Sequence, residues 1–222
     1  MTIYGAHRWR TNGDLVADIA ELYLDRTMHT VDVTYGLGRW WERWRPDQLV
    51  AHGLDLDGRG HYDDGVDFTA LPEAAGTFDL AAFDPPYVST GGRDTQGAAG
   101  DELARRFGMG TSASSPALNQ ELVDAGLAEL YRVLKPSTRR NEPEVGLALV
   151  KVQDYITSGR LFDAVYRTTR TALGLGFIVL DRFELITSGG PQPTTNRDGS
   201  TRRQVHARRN HSTMLVLLKV AP

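Results

Sequence analysis

The chain has 222 residues, a net charge of −3 and no cysteine. Disulfides, thiolate catalysis and cysteine-based zinc sites are therefore excluded, and the charge balance gives no global case for a nucleic-acid binder. With 41% hydrophobic and 24% charged residues the composition is that of an ordinary soluble domain, of a length that suits one domain over 1–222; no apolar run approaches the roughly 20 residues that span a bilayer and no secretory pattern opens the chain, so a cytoplasmic location is expected.

Residues 1–10 are polar and aromatic. Thr11 and Asn12 are candidate helix N-caps and Asp14 suits a first turn. Leu15, Val16, Ile19, Leu22 and Tyr23 then share one helical face, which predicts a helix over about 13–24. A strand follows at Thr30–Thr34, then Gly36 and Gly38, then a helix through Trp40, Trp41 and Trp44. A strand–glycine loop–helix unit brings backbone N–H groups close to a ligand; an ordinary two-glycine turn is the alternative. Leu49–Leu54 reads as the second strand and ends at Asp55 and Asp57. A carboxylate about 20 positions after a glycine loop can accept from both hydroxyls of a ribose, and Asp55, which directly follows the apolar run, is the candidate. Asp67 and Phe68 precede Leu71-Pro72 in a short connecting segment.

The apolar run Phe78–Phe83 is a buried strand that ends in Asp84-Pro85-Pro86-Tyr87. In an open α/β sheet, ligands bind beyond such strand ends. Asp84 can accept a hydrogen bond from an exocyclic amino group. Prolines lack an N–H and present bare carbonyls that accept the second amino hydrogen, and Tyr87 can stack on a flat ring. A Gly-, Ser- and Thr-rich connection, 88–115, has the composition and position of a substrate-gated lid. Ser115-Pro116 opens a helix that runs to about Leu134. Val145–Val152 is a central strand with Lys151, Gln153 and Asp154 at its end. Leu161, Phe162, Val165, Tyr166 and Leu173 mark a further amphipathic helix closed by Gly174 and Gly176, and Phe177–Ile186 and Thr213–Val220 are the last strands. Between them the 188–211 loop carries five arginines against Asp198. Arg202, Arg203, Arg208 and Arg209 can neutralise phosphates, and Gln204 can reach a base edge. His206 and His211 could pair on a metal, but nothing supplies further ligands, so no metal is expected.

Asp84 to Tyr87 resembles the catalytic signature of S-adenosylmethionine-dependent amino methyltransferases. Asp32-Val-Thr-Tyr-Gly36-Leu-Gly38 is similar to their D-x-x-x-G-x-G cofactor loop, in the expected order, and the resemblance runs over about residues 10 to 220. It implies an α/β, Rossmann-like class I methyltransferase fold: a mostly parallel seven-stranded sheet, helices on both faces and a C-terminal antiparallel hairpin. It implies S-adenosyl-L-methionine as cofactor, held by Thr11 and Asn12 near its methionine end, by Asp32, Thr34, Tyr35, Gly36 and Gly38 in the loop, and by Asp67 and Phe68 at its adenine. Arg39, Trp40 and Trp41 depart from the small residues common there. The aspartate at 84 favours adenine N6 over cytosine N4 in DNA. RNA is the alternative acceptor, at adenine N6 or guanine N2, and a non-catalytic subunit is a further one; a protein glutamine acceptor is disfavoured because those enzymes usually carry Asn at that place. With no room for a separate target-recognition region, recognition would rest on 88–115 and 188–211, with relaxed specificity, a homodimer or a specificity partner.

Overall fold

The structure, a computed structural model, describes residues 5–9, 11–54, 61–85, 116–139, 145–157, 159–187, 199–200, 205–207 and 209–221. Asp55, Asp57, Pro86, Tyr87, Arg202, Arg203, Gln204 and Arg208, all of 88–115 and most of 188–211 lie outside the described residues.

In chain order the elements are β1 (His7–Trp9), α1 (Asn12–Tyr23), β2 (His29–Asp32), β3 (Gln48–Ala51), β4 (Leu80–Phe83), α2 (Pro116–Val133), β5 (Leu147–Val152), β6 (Tyr155–Thr157), β7 (Arg160–Phe162), α3 (Ala164–Leu175), β8 (Phe177–Ile186) and β9 (His211–Lys219). The main sheet has the order β3-β2-β4-β5-β9-β8-β1. Strands β3, β2, β4 and β5 are mutually parallel. Strand β9 is antiparallel to both β5 and β8, so the C-terminal strand is the reversed one. Strands β6 and β7 form a separate antiparallel hairpin.

The strand residues alternate between two packed clusters, as period-2 geometry requires. Ala81, Phe83, Ala148, Val150, Leu215 and Leu217 pack with Leu127 and Leu130 of α2 and Val165 and Ala172 of α3. Leu80, Ala82, Leu147, Leu149, Met214 and Val216 pack with Leu15, Val16 and Ile19 of α1. Strands β4 and β5 are apolar on both faces for this reason, which is what covered parallel strands look like in sequence. Helix α1 starts with a capping box: Thr11 Oγ1 accepts from the Asp14 N–H at 3.2 Å, and the Asp14 carboxylate accepts from the Thr11 N–H at 3.4 Å.

Three expectations require correction. The polar-aromatic start contains a strand, β1, which pairs in parallel along β8 from His7↔Glu184 to Trp9↔Ile186. Its order comes from the β8 edge, which local periodicity does not show. The helix expected through Trp40, Trp41 and Trp44 is one 3-10 turn, Arg39–Trp41. The two buried indoles there each donate to a different carboxylate, and Pro46 forbids the preceding residue a comfortable helical conformation. Leu161 and Phe162 belong to β7 and not to the helix, because Asp163 is the N-cap of α3, with its carboxylate accepting from the Tyr166 N–H at 3.0 Å.

Candidate active site

The chain leaves β2 for β3 on one side and returns to β4 on the other. The carboxyl ends of β2 and β4 therefore flank the crevice at a topological switch point, where open α/β sheets bind ligands. One hydrogen bond ties the two ends together: the Asp84 N–H donates to Thr34 Oγ1 at 2.7 Å. Thr34 thus positions Asp84 at the end of β4. Strand register places Phe83 beside Val150, so Lys151, the next residue of β5, faces Asp84. Lys151 Nζ lies 3.0 Å from Asp84 Oδ2 and 3.3 Å from Oδ1. Trp40 Nε1–H donates to Asp84 Oδ2 at 3.3 Å. Asp84 is partly exposed to the crevice, while Lys151 is buried and Pro85 is buried behind it.

The glycine loop is held from within. Asp32 Oδ1 accepts from the Thr34 N–H at 3.0 Å and Oδ2 accepts from Trp41 Nε1–H at 2.7 Å. These contacts orient the loop. Burial pushes the Asp32 carboxyl up to about 7, opposed by the Thr34 and Trp41 hydrogen bonds. Gly36 has φ +53°, and an added Cβ would approach only Thr34 O, at 3.7 Å, so the space beside it is open. Gly38, at φ +70°, is different. A Cβ there would meet the Tyr35 hydroxyl at 2.6 Å, so the space expected for a cofactor at Gly38 is filled by Tyr35. The Tyr35 ring also stands edge-on to Tyr62 at 5.6 Å, and its hydroxyl accepts from Arg45 at 3.4 Å.

Beyond β3, His52 is buried between two carboxylates. Its Nδ1 is 2.6 Å from Asp64 Oδ2 and its Nε2 is 2.7 Å from Glu73 Oε1. Only a doubly protonated imidazole donates to both. Burial lowers the His52 pKa, but the two carboxylates outweigh it and the net direction is up. Asp64 also accepts from the Gly53 and Val66 N–H groups, so this clamp fixes the segment that flanks the loop.

Phe68 is buried, its ring 5.1 Å from Phe83 within the core that α2 covers. Asp67 Oδ1 accepts from the Thr69 N–H and hydroxyl, both at 2.8 Å, a self-contained turn. Thr11 is engaged in its capping box. Asn12 beside it is the better ligand group, because its buried Oδ1 finds no partner among the described residues. Both residues line a cavity of about 330 Å³ with Arg39, Lys151, Gln153 and His211. An orphaned buried acceptor and an open positive-φ glycine suit the polar methionine end of S-adenosylmethionine. Of the basic loop, Arg209 is described: its backbone oxygen accepts from Gln153 Nε2 at 3.2 Å.

Lys151, Trp40 and His52 are the functional candidates that sequence reasoning does not single out. Lys151 carries a signal in its place at the end of a central strand. The indoles and the imidazole carry none, since their partners lie 44, 9, 12 and 21 residues away.

No protein-family model matches the sequence, and no curated protein matches it. Solved structures do. A proposed methyltransferase from Bacillus halodurans superposes with a TM-score of 0.52 at 14% identity over 94% of this chain and 98% of that one. The cyclase SpnF gives 0.52 at 15% identity over 94% and 82%. A proposed DNA modification methylase from Thermus thermophilus, solved in complex with S-adenosyl-L-methionine, gives 0.37 at 17% identity over 70% of this chain and 50% of that one. The chain spans about half the length of that methylase. The two fuller superpositions establish a methyltransferase-like α/β fold with a mostly parallel mixed sheet. One of those two proteins is a cyclase, so the fold alone does not set the reaction.

Proposed function

We propose that the chain is a class I S-adenosylmethionine-dependent methyltransferase that modifies an exocyclic amino group of a nucleobase, with adenine N6 in DNA the favoured acceptor. The observation that carries this reading is the juxtaposition at the switch point: Asp84 at the end of β4 is hydrogen-bonded through its N–H to Thr34, in the glycine loop at the end of β2. A methyl-donor site and an amino-acceptor site must be adjacent, and these two strand ends are.

When bound, S-adenosylmethionine supplies a methyl group already activated on a sulfonium. Asn12 and the open side of Gly36 would hold its polar end, and Asp32 keeps the loop in shape. The lone pair of an aromatic amino group is delocalised into the ring, so the protein's task is to localise it. Asp84 accepts one amino hydrogen and the Pro85 carbonyl accepts the other, which favours a tetrahedral nitrogen. As the nitrogen becomes cationic, Asp84 stabilises the developing charge and takes the departing proton. Positioning and electrostatics supply most of such a rate enhancement. Tyr87 would stack on the base, which must leave a duplex to reach the site, and Arg202, Arg203, Gln204, Arg208 and Arg209 would contact the nucleic acid.

The test is methyl transfer from labelled S-adenosylmethionine to DNA and to RNA, followed by nucleoside analysis. Label in DNA as N6-methyladenine is the expected result. Label confined to RNA moves the acceptor class, and label in neither, with the cofactor bound, contradicts the reading.

A further inference from the structure

We propose that Lys151 is the donor half of an acceptor-reading pair, so that Lys151 and Asp84 together select a base edge on which an amino group stands beside an unprotonated ring nitrogen. The proposal rests on the methyl-transfer reading and extends it to how the acceptor is chosen.

Lys151 is buried, at 9% exposure, yet its ammonium sits 3.0 Å from the carboxylate that the amino group must engage. It also lines the 330 Å³ cavity, with Gln153, Thr187, His211 and Ser212 around it. The neighbouring strand positions Val150 and Val152 are apolar core, and a buried ion pair is about neutral for stability against apolar residues of similar volume. The pair does present something an apolar residue cannot: an acceptor and a donor side by side at the crevice end of β5.

That pattern has a chemical complement. In adenine and in cytosine the amino group is attached to a carbon whose ring neighbour is an unprotonated nitrogen, so a hydrogen-bond donor and an acceptor stand side by side. An entering amino group takes Asp84, and the Lys151 ammonium, with three protons to give, turns to the ring nitrogen. Guanine satisfies the pair only from its N3 side, because N1 carries a hydrogen. A cationic amine, such as a protein lysine, has no acceptor beside its nitrogen and meets Lys151 charge against charge, so the pair also selects against it. Electron withdrawal by Lys151 from the ring would slow transfer by itself, and the binding geometry it enforces must outweigh that cost.

The experiment compares kcat/KM on oligonucleotides carrying adenine, 1-deazaadenine or 7-deazaadenine at the target, for the wild type and for Lys151→Met, with S-adenosylmethionine affinity measured alongside. The 1-deaza substitution, which removes the ring nitrogen beside the amino-bearing carbon, and not the 7-deaza one, is expected to lower the wild-type value by about 10- to 100-fold, the worth of a hydrogen bond to a charged group; a loss confined to 7-deazaadenine overturns the proposal. Lys151→Met is expected to be slower on adenine and to show no further loss on 1-deazaadenine. A purely structural lysine would leave the wild type indifferent to both analogues, or leave the mutant as sensitive as the wild type; either result overturns the proposal. Where Lys151→Met does not fold, the wild-type comparison decides alone. A wild type that transfers methyl to no nucleic acid overturns the underlying reading and this proposal with it, whereas adenine transfer that is blind to both ring nitrogens overturns this proposal only.

Discussion

The two sides of the crevice are built on different principles. On the glycine-loop side the polar groups satisfy one another. Both oxygens of Asp32 are taken, by Thr34 and Trp41, and both nitrogens of His52 by Asp64 and Glu73. On the side of β5, β8 and β9, polar groups line an open cavity, and the Lys151–Asp84 ion pair joins the ends of β5 and β4. The first arrangement rigidifies, since mutually paired buried polar groups favour one conformation, although Glu73 Oε2 finds no partner among the described residues. The second leaves hydrogen-bonding capacity for a ligand.

Mutations should separate the two sides. Asp84→Ala is expected to have the largest effect on chemistry: transfer falls by about 10²-fold or more, the scale of a lost electrostatic or acid–base group, while cofactor affinity, by titration calorimetry, is unchanged. His52→Gln should reverse that pattern. It leaves two carboxylates facing each other without their cation, so stability falls by about 3 kcal/mol, read as a lower denaturation midpoint. The loop-side pair also makes a pH prediction. Burial raises the Asp32 carboxyl from 3.8 to about 7, so its contribution to stability is complete below about pH 4 and is lost as pH rises to 7. The raised His52 value works in the same direction: its contribution is whole below its ordinary pKa near 6.5 and is lost as pH climbs through the higher folded value. Asp64, held below its usual value, opposes them on the acid side, where its contribution is lost as pH falls. Asp32→Asn should therefore flatten the midpoint between pH 4 and 7 and leave the limb above 6.5, and each pKa unit removed is worth roughly 1.4 kcal/mol. Gly38→Ala is expected to be the smallest, about 1–2 kcal/mol from a positive-φ alanine. The added loss from the contact with Tyr35 should persist with Tyr35→Phe, which leaves the ring carbon Cζ 2.7 Å from the new Cβ, and should be relieved by pairing with Tyr35→Ala, which removes the ring.

What is legible in the sequence follows the same division. Strand runs such as Leu80–Phe83 and Leu147–Val152 are apolar on both faces and announce themselves, as does the Thr11–Asp14 cap. Asp84 is legible because an acid, two prolines and a tyrosine at a strand end leave few other uses. The rest depends on partners distant along the chain. Phe68 reads as a ligand-stacking ring, and only the approach of Phe83 and Gly126, where a Cβ would meet both rings, makes it core. Trp40 and Trp41 read as bulky intruders in a small-residue loop; they are the donors that fix Asp84 and Asp32. Lys151 is visible at a strand end, but its pairing with Asp84, 67 residues away, is a product of sheet register.

The central claim is that Asp84, beside the glycine loop, accepts from the amino group being methylated. The most direct measurement is label transfer from S-adenosylmethionine into DNA by the wild type and by Asp84→Ala, with nucleosides resolved and cofactor binding measured on both proteins. The account predicts N6-methyladenine with the wild type, none with Asp84→Ala, and equal cofactor binding. Transfer at the same rate by both proteins would contradict it.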